Sequence, residues 1–183
     1  MQLTNQYQWY RLGESKLGTD EYGGSMYIRI YARWISQNES TLTSLVEYQA
    51  RGYYSGGGWI IDQGSNGSVS GTGAVSGTFT KSTRYSSGET PLLTLNGTVT
   101  HDQDTGEASL TASATLSFPN WTDWGSPTKT ASGSATLPTI EVSTLRLGVN
   151  NQWKKATPYL RVNGSWKKCK AYLRVNGSWK KGA

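Results

Sequence analysis

Between Glu107 and Phe118 the chain alternates strictly. Ala108, Leu110, Ala112, Ala114, Leu116 and Phe118 fall on one side, and Glu107, Ser109, Thr111, Ser113, Thr115 and Ser117 on the other. A period of two with one apolar face predicts a half-buried strand of an antiparallel sheet. Asn66–Thr80 repeats the pattern with Val69, Val75 and Phe79 inward. Leu93, Leu95 and Val99 do so before His101, as do Ala131, Gly133, Ala135 and Leu137 before Pro138. Earlier strands are predicted over Gln6–Leu12, Ser25–Ile35, Thr41–Tyr53 and Trp59–Asp62, and Asp102–Gly106 has the composition of a hairpin loop. No apolar stripe recurs every 3.6 residues, so no helix is expected. The fold class that follows is all-β, an antiparallel β-sandwich of the jelly-roll or Ig-like kind. Many inward positions hold Ala or Gly, which predicts a thin core that leans on a partner subunit.

After Glu141 the texture changes. Leu147-Gly-Val-Asn-Asn-Gln-Trp153-Lys-Lys is followed by Leu160-Arg-Val-Asn-Gly-Ser-Trp166-Lys-Lys and Leu173-Arg-Val-Asn-Gly-Ser-Trp179-Lys-Lys, so the tryptophans recur every 13 residues. A fixed period means one supersecondary unit repeated. Asn163-Gly164 and Asn176-Gly177 are strong hairpin signals, because a type I′ turn needs positive φ at both central residues. A two-residue turn pairs Val162 with Ser165, Arg161 with Trp166 and Tyr159 with Lys168. Arg161 then lies over the indole of Trp166, a cation–π contact. Such a hairpin is marginal alone. If the repeats pack, Trp153, Trp166 and Trp179 are expected to be shielded.

Composition sharpens this division. Gly, Ser and Thr number 22 each, but eight Trp and eleven Tyr argue against disorder. Residues 1–141 carry 8 basic and 12 acidic side chains, a net −4, whereas residues 142–183 carry 10 basic and none acidic. The expected organisation is therefore a sandwich domain, 1–141, and a basic hairpin-repeat segment, 142–183. A segment so basic seeks anionic partners. No run approaches the ~18 apolar residues of a membrane span, so no membrane insertion is expected. The start, Met1-Gln2-Leu3-Thr4, lacks the regions of a signal peptide; either the chain is not secreted by that route or a signal has been removed. The lone Cys169 excludes an intramolecular disulfide and fits a reducing cytosol.

Asn96-Gly-Thr-Val-Thr-His-Asp-Gln-Asp-Thr-Gly, the Ser/Ala/Thr strand after it, and Ser132-Gly-Ser-Ala-Thr-Leu-Pro-Thr-Ile140 resemble the β-sandwich modules of bacteriophage minor tail and fibre proteins. The Tyr-Leu-Arg-Val-Asn-Gly-Ser-Trp-Lys-Lys units resemble short repeats that end many phage structural proteins. These stretches fall within residues 90–183, about half of the chain. Where the family pattern often has Pro-Arg after Leu-Pro-Thr-Ile, this chain has Glu141-Val142. The resemblance implies a virion component made in the host cytoplasm, a tail, fibre or decoration subunit that touches the bacterial surface. It brings no catalytic residues.

The residues themselves offer little to catalysis. His101 is the only histidine and reads as a strand-end residue, so neither His-based nucleophile activation nor a zinc site of ordinary composition is supported. Nothing in the spacing selects a carboxylate pair for glycoside hydrolysis. Asp102-x-Asp104-x-Gly106-Glu107 echoes the start of a calcium loop without its twelfth-position Glu, and turn chemistry accounts for the same residues. The reading is non-enzymatic, with no cofactor and no metal. Binding candidates are Tyr53, Tyr54 and Trp59 around Gly56-Gly57-Gly58, and Trp121 and Trp124 in a second loop. These rings either stack on sugars or plug the ends of the sandwich. In the repeats the candidates are Arg161, Trp166, Lys167, Lys168, Arg174, Trp179, Lys180 and Lys181. Six Asn-x-Ser/Thr triplets occur, four of them Asn-Gly turns. Expected partners are further copies of the chain, with a trimer as the working state, other virion proteins and an anionic bacterial surface glycan. Nucleic acid is disfavoured, because no recognised module is present. The rivals are a carbohydrate-binding adhesin outside any virion and a glycan hydrolase.

Overall fold

In the computed structural model the alternation over Ser109–Ser117 becomes a strand whose even positions, Leu110, Ala112, Ala114 and Leu116, are all buried. The structure describes every residue except 62, 63, 83, 121–126, 143–145, 151, 170, 176, 182 and 183. The side chains of residues 58–61, 84, 146–148, 153–155, 173–175 and 178–181 are likewise outside the description. Eight strands build the body: β1 Tyr10–Thr19, β2 Ser25–Asn38, β3 Thr43–Ile61, β4 Ser65–Gly71, β5 Val75–Lys81, β6 Arg84–Thr100, β7 Ser109–Ser117 and β8 Thr128–Thr136. They form two four-stranded antiparallel sheets, β1-β2-β3-β6 and β5-β4-β7-β8, packed over one core. Strand β6 returns beside β3, and β7 beside β4.

Several strands differ from their predicted bounds. Asn66–Thr80 is a hairpin, not one strand, because Gly73 and Ala74 take positive φ and turn β4 into β5. Trp59–Asp62 is not a separate strand either. β3 runs on past the glycines, with register broken between Tyr54, opposite Gly88, and Trp59, opposite Ser86. Asp102–Gly106 is no hairpin loop, since β6 and β7 lie in different sheets and the segment crosses between them. In β6 a register shift opposite Ala50/Arg51 gives Leu92 the buried position, while Leu93 and Leu95 are only partly buried.

The expected thinness of the core has another explanation. Tyr48 of β3 is fully buried, and a Cβ at Gly71 on the facing strand β4 would stand 2.8 Å from its ring. Its hydroxyl donates to the Thr72 carbonyl at 3.0 Å, and burial pushes its pKa up to about 12. Tyr85 meets Phe118 edge-on, with ring centroids 5.6 Å apart. The small inward residues thus receive large rings from within the chain, at the close packing protein interiors require. Two glycines bring sheet edges together. A Cβ on Gly13 of β1 would come within 2.2 Å of the Ser132 carbonyl oxygen, and one on Gly133 of β8 within 2.1 Å of that of Leu12.

Beyond the body lie three two-stranded antiparallel pairs: β9 Arg146–Val149 with β10 Gln152–Lys155, β11 Tyr159–Val162 with β12 Ser165–Lys168, and β13 Tyr172–Val175 with β14 Ser178–Lys181. Among the described residues no helix is long and apolar enough to cross a membrane.

Candidate binding surface

The two hairpins after residue 158 share one register. Arg161 pairs with Trp166 and Tyr159 with Lys168, as Arg174 pairs with Trp179 and Tyr172 with Lys181. Asn163 and Gly164 turn with φ of 50° and 82°, so both central residues are left-handed, as a type I′ turn requires. Strand neighbours point to opposite faces. One face of the first hairpin therefore holds Tyr159, Arg161, Trp166 and Lys168, and the other Leu160, Val162, Ser165 and Lys167. The Arg161 guanidinium stands 6.0 Å from the Trp166 ring centroid, the outer reach of a cation–π contact. Trp166 is 68% exposed and Tyr159 56%, so the expected shielding fails at Trp166. The cause is architectural: a two-stranded ribbon has no second layer to cover either face. Lys167 and Lys168 are exposed as well. The side chains of Arg174, Trp179, Lys180 and Lys181 lie outside the described residues; only their register is described. In the first pair Trp153 stands opposite Gly148, so that unit lacks the arginine partner.

The aromatic residues of the body divide. Tyr53 and Tyr54 are not loop residues but consecutive residues of β3, and so face opposite ways. Tyr54 is buried, its hydroxyl donating to Asp20. That bond, with burial and the carboxylate's charge added, pushes the Tyr54 pKa up to about 12. It is a structural ring. Tyr53 lies on the outer face, 5.8 Å from Tyr27 between centroids, with the Arg29 guanidinium 3.5 Å from its ring centroid. The side chain of Trp59, and all of Trp121 and Trp124, fall outside the described residues.

Around Tyr53 the outer face of β1-β2-β3-β6 carries a network that the sequence reading missed. Glu89 on β6 accepts from Arg29 at 3.0 Å, from Arg51 at 2.7 Å and from the Tyr31 hydroxyl. Burial raises the Glu89 pKa, but the bonds from Tyr31, Arg51 and Arg29 outweigh it and hold the carboxyl below its usual value. Arg29 also reaches Glu14 at 2.5 Å, and Arg33 reaches Glu47 at 2.6 Å. Arg51 lies 4.3 Å from the Tyr31 ring centroid, and Arg33 lies 4.4 Å from that of Trp9. Alternation along β2 and β3 marks Tyr27, Arg29, Tyr31, Arg33, Glu47 and Arg51 as outward. The partnership of Arg51, Tyr31 and Arg29 with Glu89 joins residues 38, 58 and 60 positions apart, which period alone does not reveal. By contrast, the opposite sheet is faced with hydroxyls, paired as Ser70–Ser113 at 2.9 Å, Thr115–Thr130 at 2.8 Å and Ser117–Thr128 at 2.7 Å.

His101 is not a plain strand-end residue but a core one, at 2% exposure. Its Nδ1 lies 2.8 Å from the Gly106 carbonyl and its Nε2 2.7 Å from the Ser44 hydroxyl. The carbonyl can only accept, so Nδ1 carries the proton and Nε2 accepts from Ser44. Ser44 is fully buried, so no substrate reaches its hydroxyl; the pair fastens the β6–β7 crossover to β3. In that crossover Asp102 Oδ1 accepts from the backbone N–H groups of Asp104 and Thr105, each at 2.7 Å, which is an Asx turn. Among the described residues no group of His, Cys, Asp and Glu is arranged to hold a metal ion. Compared with known proteins, the chain matches no family model, no curated protein and no solved structure.

Proposed function

We propose that this chain is a non-enzymatic structural protein of a bacteriophage virion, a tail, fibre or decoration subunit that works as a homo-oligomer and presents its C-terminal hairpins to the host surface. The observation that carries the reading is the exposed aromatic and cationic face of the hairpin at Tyr159–Lys168, repeated in register at Tyr172–Lys181. An exposed indole bordered by cations is costly to leave in water and suits an interface with a polar, anionic partner. The resemblance of residues 90–183 to phage tail modules supplies the virion part. The body belongs to the same proposal as a sandwich of the jelly-roll or Ig-like class. The returns of β6 beside β3 and of β7 beside β4, each after excursions into the other sheet, support that class. Immunogold labelling of purified particles tests the assignment: label at a fixed position on the particle supports it, and label only in the soluble lysate fraction counts against it.

A second reading, a carbohydrate-binding adhesin outside any virion, is favoured by the outer face around Trp9 and Tyr53, half-buried rings beside arginines. Binding to glycans by a protein absent from particles is the outcome that selects it.

A further inference from the structure

We infer that the last two hairpins form a two-site platform for an acidic glycan, one whose successive sugars carry carboxylates on alternate sides. The inference deepens the host-surface part of the proposed function and rests on it.

Tyr159 sits opposite Lys168, and Arg161 opposite Trp166, so rings and cations alternate across the ribbon as well as along it. Two positions along a strand are about 6.7 Å apart, and directly opposed residues about 5 Å. Trp166 and Tyr159 are diagonal neighbours on opposite strands, about 7–8 Å apart, within reach of two linked sugar rings. The cation then stands on opposite sides at the two steps, Arg161 on β11 and Lys168 on β12. A β-1,4-linked uronate turns each sugar over relative to the last and sends its carboxylates to alternate sides, the same pattern. The guanidinium supplies paired donors and the ammonium a point charge, both suited to carboxylate.

The second hairpin has the same four residue types in the same register, Tyr172, Arg174, Trp179 and Lys181. A polymer long enough to reach both gains from effective concentration, so two weak sites act as one stronger one. The β9/β10 unit differs. Its equivalent positions hold Arg146, Gly148, Trp153 and Lys155, with one ring and no arginine beside it. It is not part of the platform.

Neighbouring lysines make the test selective. Lys168 shares the face of Trp166, while Lys167 lies on the other; Lys181 and Lys180 hold the equivalent register positions of the second hairpin. The full-length protein is titrated with an oligomannuronate by calorimetry, with a cello-oligosaccharide of equal length and an oligothymidylate of equal charge as comparisons. Lys168→Gln with Lys181→Gln should weaken oligomannuronate binding at least tenfold, and Lys167→Gln with Lys180→Gln less than threefold. Both pairs remove the same charge, so equal losses would reduce the platform to unspecific attraction and overturn the inference. Tighter binding of oligothymidylate than of oligomannuronate would overturn it in favour of a nucleic-acid surface, and equal binding of the neutral sugar would overturn the role of the cations. Failure of the parent reading looks different: a protein that binds the glycan with the predicted lysine selectivity but never labels particles retains the platform and loses the virion.

Discussion

The body and the hairpin segment are written in the same alternating code, and the structure uses it to opposite ends. In the body each apolar face meets another across two four-stranded layers, so Tyr48, Tyr85 and Phe118 vanish into one core. In the hairpins each ribbon has two strands and no second layer, so Tyr159, Leu160, Trp166 and Tyr172 stand exposed. Alternation therefore specifies a strand, and the number of strands and layers decides what the strand buries. Charge follows the same division. Arginines of the body such as Arg29, Arg33 and Arg51 are committed to carboxylates, whereas Lys167 and Lys168 project from a segment without a single acidic residue.

Four substitutions break or sharpen that contrast. The largest effect is expected in the core, where Leu110→Ala should cost about 2–5 kcal/mol by urea unfolding, since Leu110 is fully buried between layers. A smaller loss follows from Gly133→Ala, whose methyl would meet the Leu12 carbonyl oxygen at 2.1 Å; about 1–3 kcal/mol is expected for such overpacking. Third, Glu89→Gln should cost about 1 kcal/mol at neutral pH, because two arginines and Tyr31 lose their common charged acceptor on a partly solvated face. The pH dependence has a definite sign. Glu89 is held below its usual value in the folded chain, so its contribution is complete above the unfolded value near ~4.3 and is lost as pH falls through the lower folded value. The wild type's advantage over the variant should therefore shrink in melts below about pH 4. Last, Trp166→Ala should change stability by no more than about 0.5 kcal/mol, as for surface positions generally. A buried tryptophan would cost about 3–5 kcal/mol, and a loss of that size would mean the hairpins are packed after all.

Much of this was legible in the sequence, and the failures have identifiable causes. The buried faces of β7 and β8 follow from period two alone, because both strands are regular over their length. The partners of Arg161 and Tyr159 follow from Asn163-Gly164, because a two-residue turn leaves one register. Elsewhere local pattern met long-range pairing. The Val69–Phe79 alternation survives a turn at Gly73–Ala74, so a hairpin reads as one strand. Leu92 joins Leu93 at the core through a register shift that depends on β3, far away in sequence. Asp102–Gly106 has hairpin composition but spans two sheets, and only the fixing of His101 to Ser44 and Gly106 shows why it does. The same limit hid the Glu89 network, whose members lie on four strands.

The central question is whether exposed Trp166, and Trp179 at the equivalent register position, serve binding and not folding. The direct measurement compares the full-length chain with its Trp166→Ala, Trp179→Ala variant, recording thermal unfolding and attachment to host cell envelopes on the same preparations at fixed salt. The melting temperature should be unchanged and attachment weakened at least tenfold. A melting temperature lowered by several degrees with attachment intact would contradict that expectation, and would return these rings to the core.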